Sequence, residues 1–566
     1  GERYAAADRL VPKPIRRHMK KSNILAIGAT VLLLAGCGNG KSSDVSKKAG
    51  GKYAAKQELN WTESNTLATA DLSKATDTLS FNVLMNTQEG LYRLDKNGTP
   101  QLALAKKANV SKDGKTYNFE LRKGVKWSNG EDVTAKDFVY SWRRTVDPKT
   151  TSQDAFYLNQ VENANEIIAN KKDPKELGIT ANGKYKLTVK LTKAVPYFKQ
   201  LLAWPLFYPV NQTTVEKYGK LYGTQAKYSV YNGPYVLTGW NGTNKSWTLV
   251  KNKRYWDKGN VHLDKIHELV TESTTTGYNL YQAKKADETL LSGQQVKNLK
   301  SSPAFVKRLP TATSRLDLNQ NKVPEFKNKN IRRALSLAID RKELTDNVLQ
   351  DGSMPSKGFV PYGIGKDPVS KKNFADQAYV KEAVEFNLKK AKKYLEKGYK
   401  ETGTSKLDLN ILTSDTDTSK QTAEFLQSKL EALPGVKISV TCVPFVQMLA
   451  KQKNSDYQIT VKTWQSVFAD PINFLDIWES DASYNNSGWK NAEFDKLLDE
   501  AENTYANQPA KRWQKLVKAE ELLAKDQGTI PLYQQAKSQL LRENVKNVVY
   551  NPAGVPYDWK TVYIAK

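Results

Sequence analysis

The chain has 566 residues, 26% charged and 39% hydrophobic, and its 87 Lys and Arg outweigh 59 Asp and Glu to give a formal net charge of +28. Single cores stop growing near about 250–300 residues, so two lobes or more are expected, and two cysteines over this length exclude a disulfide scaffold. Lys is scattered among Asp, Glu and Asn without an aromatic-spaced Arg patch or a nucleic-acid motif, which argues against a nucleic-acid partner.

In chain order, residues 1–18 precede Met19, contain no methionine, and read as an upstream extension outside the fold. Met19-Lys20-Lys21, the apolar run Ile24–Leu34 and the small residues Ala35 and Gly36 make residues 19–36 a secretory signal segment. That run is shorter than the roughly 20 residues of a membrane-spanning helix. Ala35-Gly36-Cys37 resembles the lipobox of bacterial lipoproteins, which implies cleavage before Cys37 and acylation of its thiol. Two acyl chains anchor stably, at about 0.8 kcal/mol per buried methylene. Only Cys442 would then remain, so no internal disulfide is expected. Residues 37–57 are rich in Gly, Ser and Lys without apolar periodicity and read as a flexible tether. The positive charge suits a protein held against anionic lipid and wall polymer.

Thr116–Leu121 and Lys184–Leu191 alternate apolar with polar residues, each after a turn dipeptide, Asp113-Gly114 and Asn182-Gly183, and read as half-buried strands. Helical stretches intervene between them at TAKDFVYSWRRTV and NANEIIAN, so this half reads as α+β. Ile331, Ala334, Leu335, Ala338 and Ile339 share one helix face, as do Phe494, Leu497, Leu498 and Ala501; both are core stripes. Between them, Leu407–Leu412, the helical spacing of Ala423, Leu426, Leu430 and Leu433, and Val436–Cys442 form a βαβ unit. A short helix about Phe445–Lys451 leads to another strand, Tyr457–Val461. The fold class is α/β with parallel strands, and in such sheets ligands bind beyond the carboxyl ends of the strands. The segment after Val461 is therefore the first place to expect a site.

Catalytic chemistry is poorly represented. His262 and His267 are five apart, with neither helical i, i+4 geometry nor same-face strand parity, so no metal pair is expected. No Gly-x-Ser-x-Gly elbow, Walker loop or His-Glu-x-x-His occurs, and no cofactor is implied. The 12 Trp and 28 Tyr suit a large enclosed cleft, although most of them belong to the core.

Several stretches in order, among them YNFELRKGVKWSNGEDVTAKDFVYSWRRTVDP (Tyr117–Pro148), VPYFKQLLAWPLFYPV (Val195–Val210), YNGPYVLTGW (Tyr231–Trp240), IRRALSLAIDRKEL (Ile331–Leu344) and TIPLYQQAK (Thr529–Lys537), resemble the peptide-binding lipoproteins of oligopeptide ABC importers of Gram-positive type. The resemblance runs from about Leu59 to Lys566. It implies a two-lobed Venus-flytrap fold: lobe I from 58 to 310 and 535 to 566, with an added subdomain at 101–229, and lobe II from 311 to 534. It implies a monomer on the outer face of the cell membrane that takes an oligopeptide ligand and docks on membrane permease and ATPase subunits. An extended peptide would be held as an added strand, through main-chain hydrogen bonds that ignore side-chain identity. Residue by residue, the match places the lobe I contact at Thr76, Asp77 and Thr78, and the lobe II contact at Thr463–Pro471, the segment the parallel-sheet argument selects. There Trp464 would form a pocket wall or pack into the core, followed by Gln465 and Ser466.

One departure stands out. Where many peptide binders of this family carry an Asp that meets the peptide ammonium, this chain has Val467, which accepts no hydrogen bond. Asp470 is three residues on, but Asp470-Pro471 also makes a good helix start. The expectation is a binder that does not require a free amino terminus. The rival expectations are a dedicated ligand on the same scaffold, such as nickel, a dipeptide, a wall-derived peptide or a pheromone, a surface adhesin exploiting the charge, and a hydrolase.

Overall fold

The computed structural model describes residues 51–566 apart from positions 65, 76, 272, 416, 444 and 483. The signal segment, Cys37 and most of the tether lie outside the described residues, as does Thr76. Among the described residues no helix is long and apolar enough to cross a membrane.

Lobe I is built on a four-stranded sheet. Glu58–Glu63 lies parallel to Lys265–Val270, and Ser246–Lys251 and Tyr235–Thr238 extend it antiparallel. Alternation in the first strand sends Leu59 and Trp61 into a core completed by Trp247 and by Trp559 and Val562 near the chain's end. A three-stranded sheet sets Lys537–Leu541 between Glu288–Leu291 and Phe305–Arg308, which fixes the last residues to the first lobe. The inserted stretch forms its own antiparallel sheet, in the order Ala105–Val110, Thr116–Leu121, Lys186–Lys190, Ile179–Ala181. Gly114 and Gly183, at φ +72° and +78°, supply the left-handed turns before the two strands the alternation predicts. The helix Ala135–Val146 starts with a reciprocal capping box between Thr134 and Asp137.

Lobe II carries a six-stranded sheet in the order Met354–Pro355, Ile530–Gln534, Ala312–Leu318, Ile459–Gln465, Leu407–Ser414, Val436–Val443. The last three strands are parallel, as the βαβ pattern predicts. The strand expected at Tyr457–Val461 instead runs from Ile459 to Gln465. Its partner explains the extension. Ala312–Leu318 pairs with it antiparallel from Leu318↔Ile459 to Ala312↔Gln465, so ladder bonds carry it through the polar Lys462 and Thr463, where apolar alternation fails. Trp464 and Gln465 thus belong to the sheet and not to the loop beyond it.

The lobes do not merely face each other. One buried apolar cluster runs from Phe119, Trp142 and Phe198 of the insertion to Trp464, Phe468 and Trp478 of lobe II.

Candidate functional site

The lobe II wall begins where the strand ends. Ser466 N–H donates to Thr311 O at 3.0 Å, Thr311 N–H donates to Pro552 O at 3.0 Å, and Gly554 N–H donates to Ser466 O at 3.3 Å. Three segments distant in sequence are thereby stitched together. Gly554 sits at φ +78°, and a Cβ there would stand 2.7 Å from Val467 O, so the close approach of the C-terminal loop requires glycine.

From Ser466 the loop reaches across to lobe I. Val467 N–H donates to Asn473 Oδ1 at 2.9 Å, which fixes its backbone. Phe468 stacks on Tyr197 with centroids 4.3 Å apart and planes 11° apart. Ala469 N–H donates to Gln200 Oε1 at 3.0 Å. Below this contact Arg512 meets both oxygens of Asp470 at 2.8 Å and Glu502 Oε1 at 3.0 Å. Those carboxylates hold the guanidinium well above its ordinary pKa against the opposing effect of burial.

This loop, lobe I and the C-terminal loop enclose a cavity of about 740 Å³. Lobe I contributes Met85, Trp204 and the turn Lys96–Pro100; lobe II contributes Lys366 and Val467–Ala469; the tail contributes Tyr550–Val555. Trp204 is steadied by Phe81 and Tyr157, at centroid distances of 4.9 and 4.7 Å. A recess of about 950 Å³ elsewhere, between Leu290–Gln294 and the helix Asp417–Leu430, contains none of the residues the sequence singles out.

Of the described residues expected at the site, Val467 lines the 740 Å³ cavity and the others lie elsewhere. Asp77 caps the helix Thr78–Thr87, accepting from Ser80 N–H at 3.0 Å, and Thr78 is its first residue. Trp464 is buried, with Nε1 donating to Asn473 O at 2.7 Å and its ring edge-on to Tyr484. Its core-packing alternative is therefore the one the structure adopts. Gln465 pairs with Ala312 in the sheet, and Ser466 is buried in the stitch. Asp470 Oδ1 accepts from Ile472 N–H at 3.0 Å just before the short helix Ile472–Leu475, whose N-cap is Pro471 and not Asp470 as expected, and Arg512 takes both Asp470 oxygens. Neither histidine joins the site: His262 stacks on Tyr53, and His267 bonds Glu58 and Thr248 along the lobe I sheet.

Sequence reasoning missed Lys96, Lys366, Trp204 and the Tyr550–Val555 loop. Trp204 lies within a stretch that carries the resemblance, and Asn97-Gly98 is a turn dipeptide, but nothing local marks either as a wall.

Comparison with known proteins agrees with this architecture. Residues 99–486 match the family described as bacterial extracellular solute-binding proteins, family 5. The chain is 35% identical over 561 residues to a dipeptide-binding protein of Lactococcus lactis subsp. cremoris, covering 96% of this chain and all of the relative. It is 32% identical over 495 residues to the oligopeptide-binding protein OppA of Bacillus subtilis, covering 85% of this chain and 88% of that one. Among solved structures, Listeria monocytogenes OppA bound to peptide superposes with a TM-score of 0.74 at 37% identity, over 91% of this chain and all of that one. Members of this group are two-lobed binding proteins and not enzymes. The chain belongs to the bacterial extracellular solute-binding proteins of family 5.

Proposed function

We propose that this protein captures oligopeptides between its lobes, chiefly through main-chain hydrogen bonds, and delivers them to an ABC permease driven by an ATPase. Acylated Cys37 holds it at the outer face of the membrane as a monomer. The observation that carries the reading is the 740 Å³ cavity walled by both lobes and the C-terminal loop, within the roughly 300–1,000 Å³ of small-ligand sites. The peptide binders among the relatives support it. A ligand touching both walls binds the closed arrangement better than the open one, which is what drives closure. Thr76–Thr78 would contact the peptide backbone from lobe I, and Val467 would stand near an end of the peptide that needs no charged amino group.

Native mass spectrometry of purified protein tests the capture. Heterogeneous co-purifying peptides are expected; a metal or a sugar as the sole occupant would overturn it. Calorimetry with one peptide, free and N-acetylated, tests the role of Val467, and a large loss of affinity on acetylation would refute it.

A further inference from the structure

We propose that the interlobe cavity selects peptides of net negative charge, with Lys96 of lobe I and Lys366 of lobe II as the recognition groups; this rests on the peptide-binding reading above. Among the described residues, Lys96 and Lys366 are the only charged ones in the lining; no Asp, Glu, Arg or His joins them there. Both are exposed, and neither ammonium has an ion-pair or hydrogen-bond partner among the described residues.

Three carboxylates lie close in sequence to lining residues, and each is committed elsewhere. Asp95, beside Lys96, accepts from Asn97 N–H, Thr99 N–H and Gln101 Nε2 within its own turn. Asp367, beside Lys366, accepts from Val369 N–H, Ser370 N–H and Gln377 Nε2. Hydrogen bonds from Gln377 and Val369 hold it below its ordinary pKa, so it stays ionised and bound. Asp470 gives both oxygens to Arg512. The two flanking aspartates thus shape the loops that present the lysines and leave the ammoniums uncompensated.

An uncompensated cation on each side of a closing cleft has a specific consequence. A ligand carboxylate near either lysine is favoured, a cationic side chain is disfavoured, and a ligand with two acids could engage one lysine from each lobe only when the lobes are together. Each contact is solvent-accessible, so the selectivity is graded and falls with salt.

The test uses the full chain and three pentapeptides, Ala-Glu-Ala-Glu-Ala, Ala-Gln-Ala-Gln-Ala and Ala-Lys-Ala-Lys-Ala, all N-acetylated and C-amidated so that only side chains carry charge. Calorimetry should rank them glutamate, glutamine, lysine, with Kd rising about fivefold per step at low salt. The double variant Lys96→Gln, Lys366→Gln should bring the glutamate-to-glutamine ratio close to one, as should salt near about 0.5 M. Lysine peptide binding as tightly as glutamate peptide, or a ratio unmoved by the double variant, would overturn the charge selectivity alone. Binding of none of the three, nor of the same sequences with free termini, would overturn the peptide reading itself.

Discussion

The basic cavity has an opposite beside it. Tyr197 lines a second hollow between the lobes, of about 810 Å³, whose walls hold Asp476, Glu479, Asp481, Asp495, Asp499 and Glu502 against a single cation, Lys193. Tyr197 and Phe468 stack between the two spaces. In a chain of net charge +28, the acidic hollow looks at first like the more conspicuous ligand site. Its charges are largely committed within the protein, however. Asp495 accepts from Ser480 N–H and Oγ, Asp499 from Asn503 Nδ2 and Glu502 from Arg512, and Glu502 also pairs with Lys193 at 3.6 Å. Burial and the neighbouring Asp481, Asp495 and Glu502 push Glu479 up to about 7, so part of its charge is given up. Charge that the protein pairs or neutralises serves its fold; unpaired charge, as at Lys96 and Lys366, is left open to a ligand.

The largest expected effect breaks the committed side. Arg512→Ala leaves buried Asp470 without its cation and half-buried Glu502 with Lys193 alone, and loss of one partner from a buried pair should cost about 3–5 kcal/mol, read by urea unfolding. The double lysine variant should shift stability by less than about 0.5 kcal/mol, because neither side chain holds anything in the fold. Equal losses in the two variants would erase the distinction between the hollows. A smaller effect sharpens the cavity side. Gly554→Ala places a Cβ against Val467 O in a left-handed backbone, so about 1–3 kcal/mol of stability should be lost. Affinity for peptide should fall with it, since the same contact sets the wall.

These contrasts also separate what the sequence could reveal from what it could not. The strand Thr116–Leu121 and the parallel strands beginning at Leu407 and Val436 are visible because one face of each is buried and its alternation is local. The helix Lys329–Leu337 shows the same logic at helical period. The continuation of Ile459–Gln465 past Val461 is not visible, because it depends on pairing with Ala312–Leu318, more than a hundred residues away. The site suffers more from this than the fold. The sheet argument points to the segment after Val461, and Val467 of that segment lines the cavity, but Trp464 packs into the core against Asn473 and Tyr484. Lys96 and Lys366 look like any other surface lysine until the structure shows that their adjacent aspartates turn away.

The subtlest test concerns Glu479, where proton uptake can be followed directly. Its carboxyl titrates at about 7 in the folded protein, against 4.5 as the ordinary value. Between those pH values the unfolded chain is ionised while the folded chain still holds the proton, so rising pH favours unfolding. The contribution of Glu479 to stability is therefore greatest below about pH 4.5, declines as pH rises, and is level above about 7. The stability of wild type relative to Glu479→Gln, which has no proton to lose, should fall across this window by about 1 kcal/mol after allowance for partial exposure. Asp481, Asp495, Glu502 and Lys193 face the same carboxyl and are present in both proteins, so the difference isolates Glu479. Unfolding curves at closely spaced pH provide the measurement. A flat difference would mean that Glu479 keeps its charge in the folded state. The acidic hollow would then hold an uncompensated anion of its own, and the argument that assigns a ligand to unpaired charge would apply to both sides of the Tyr197–Phe468 stack.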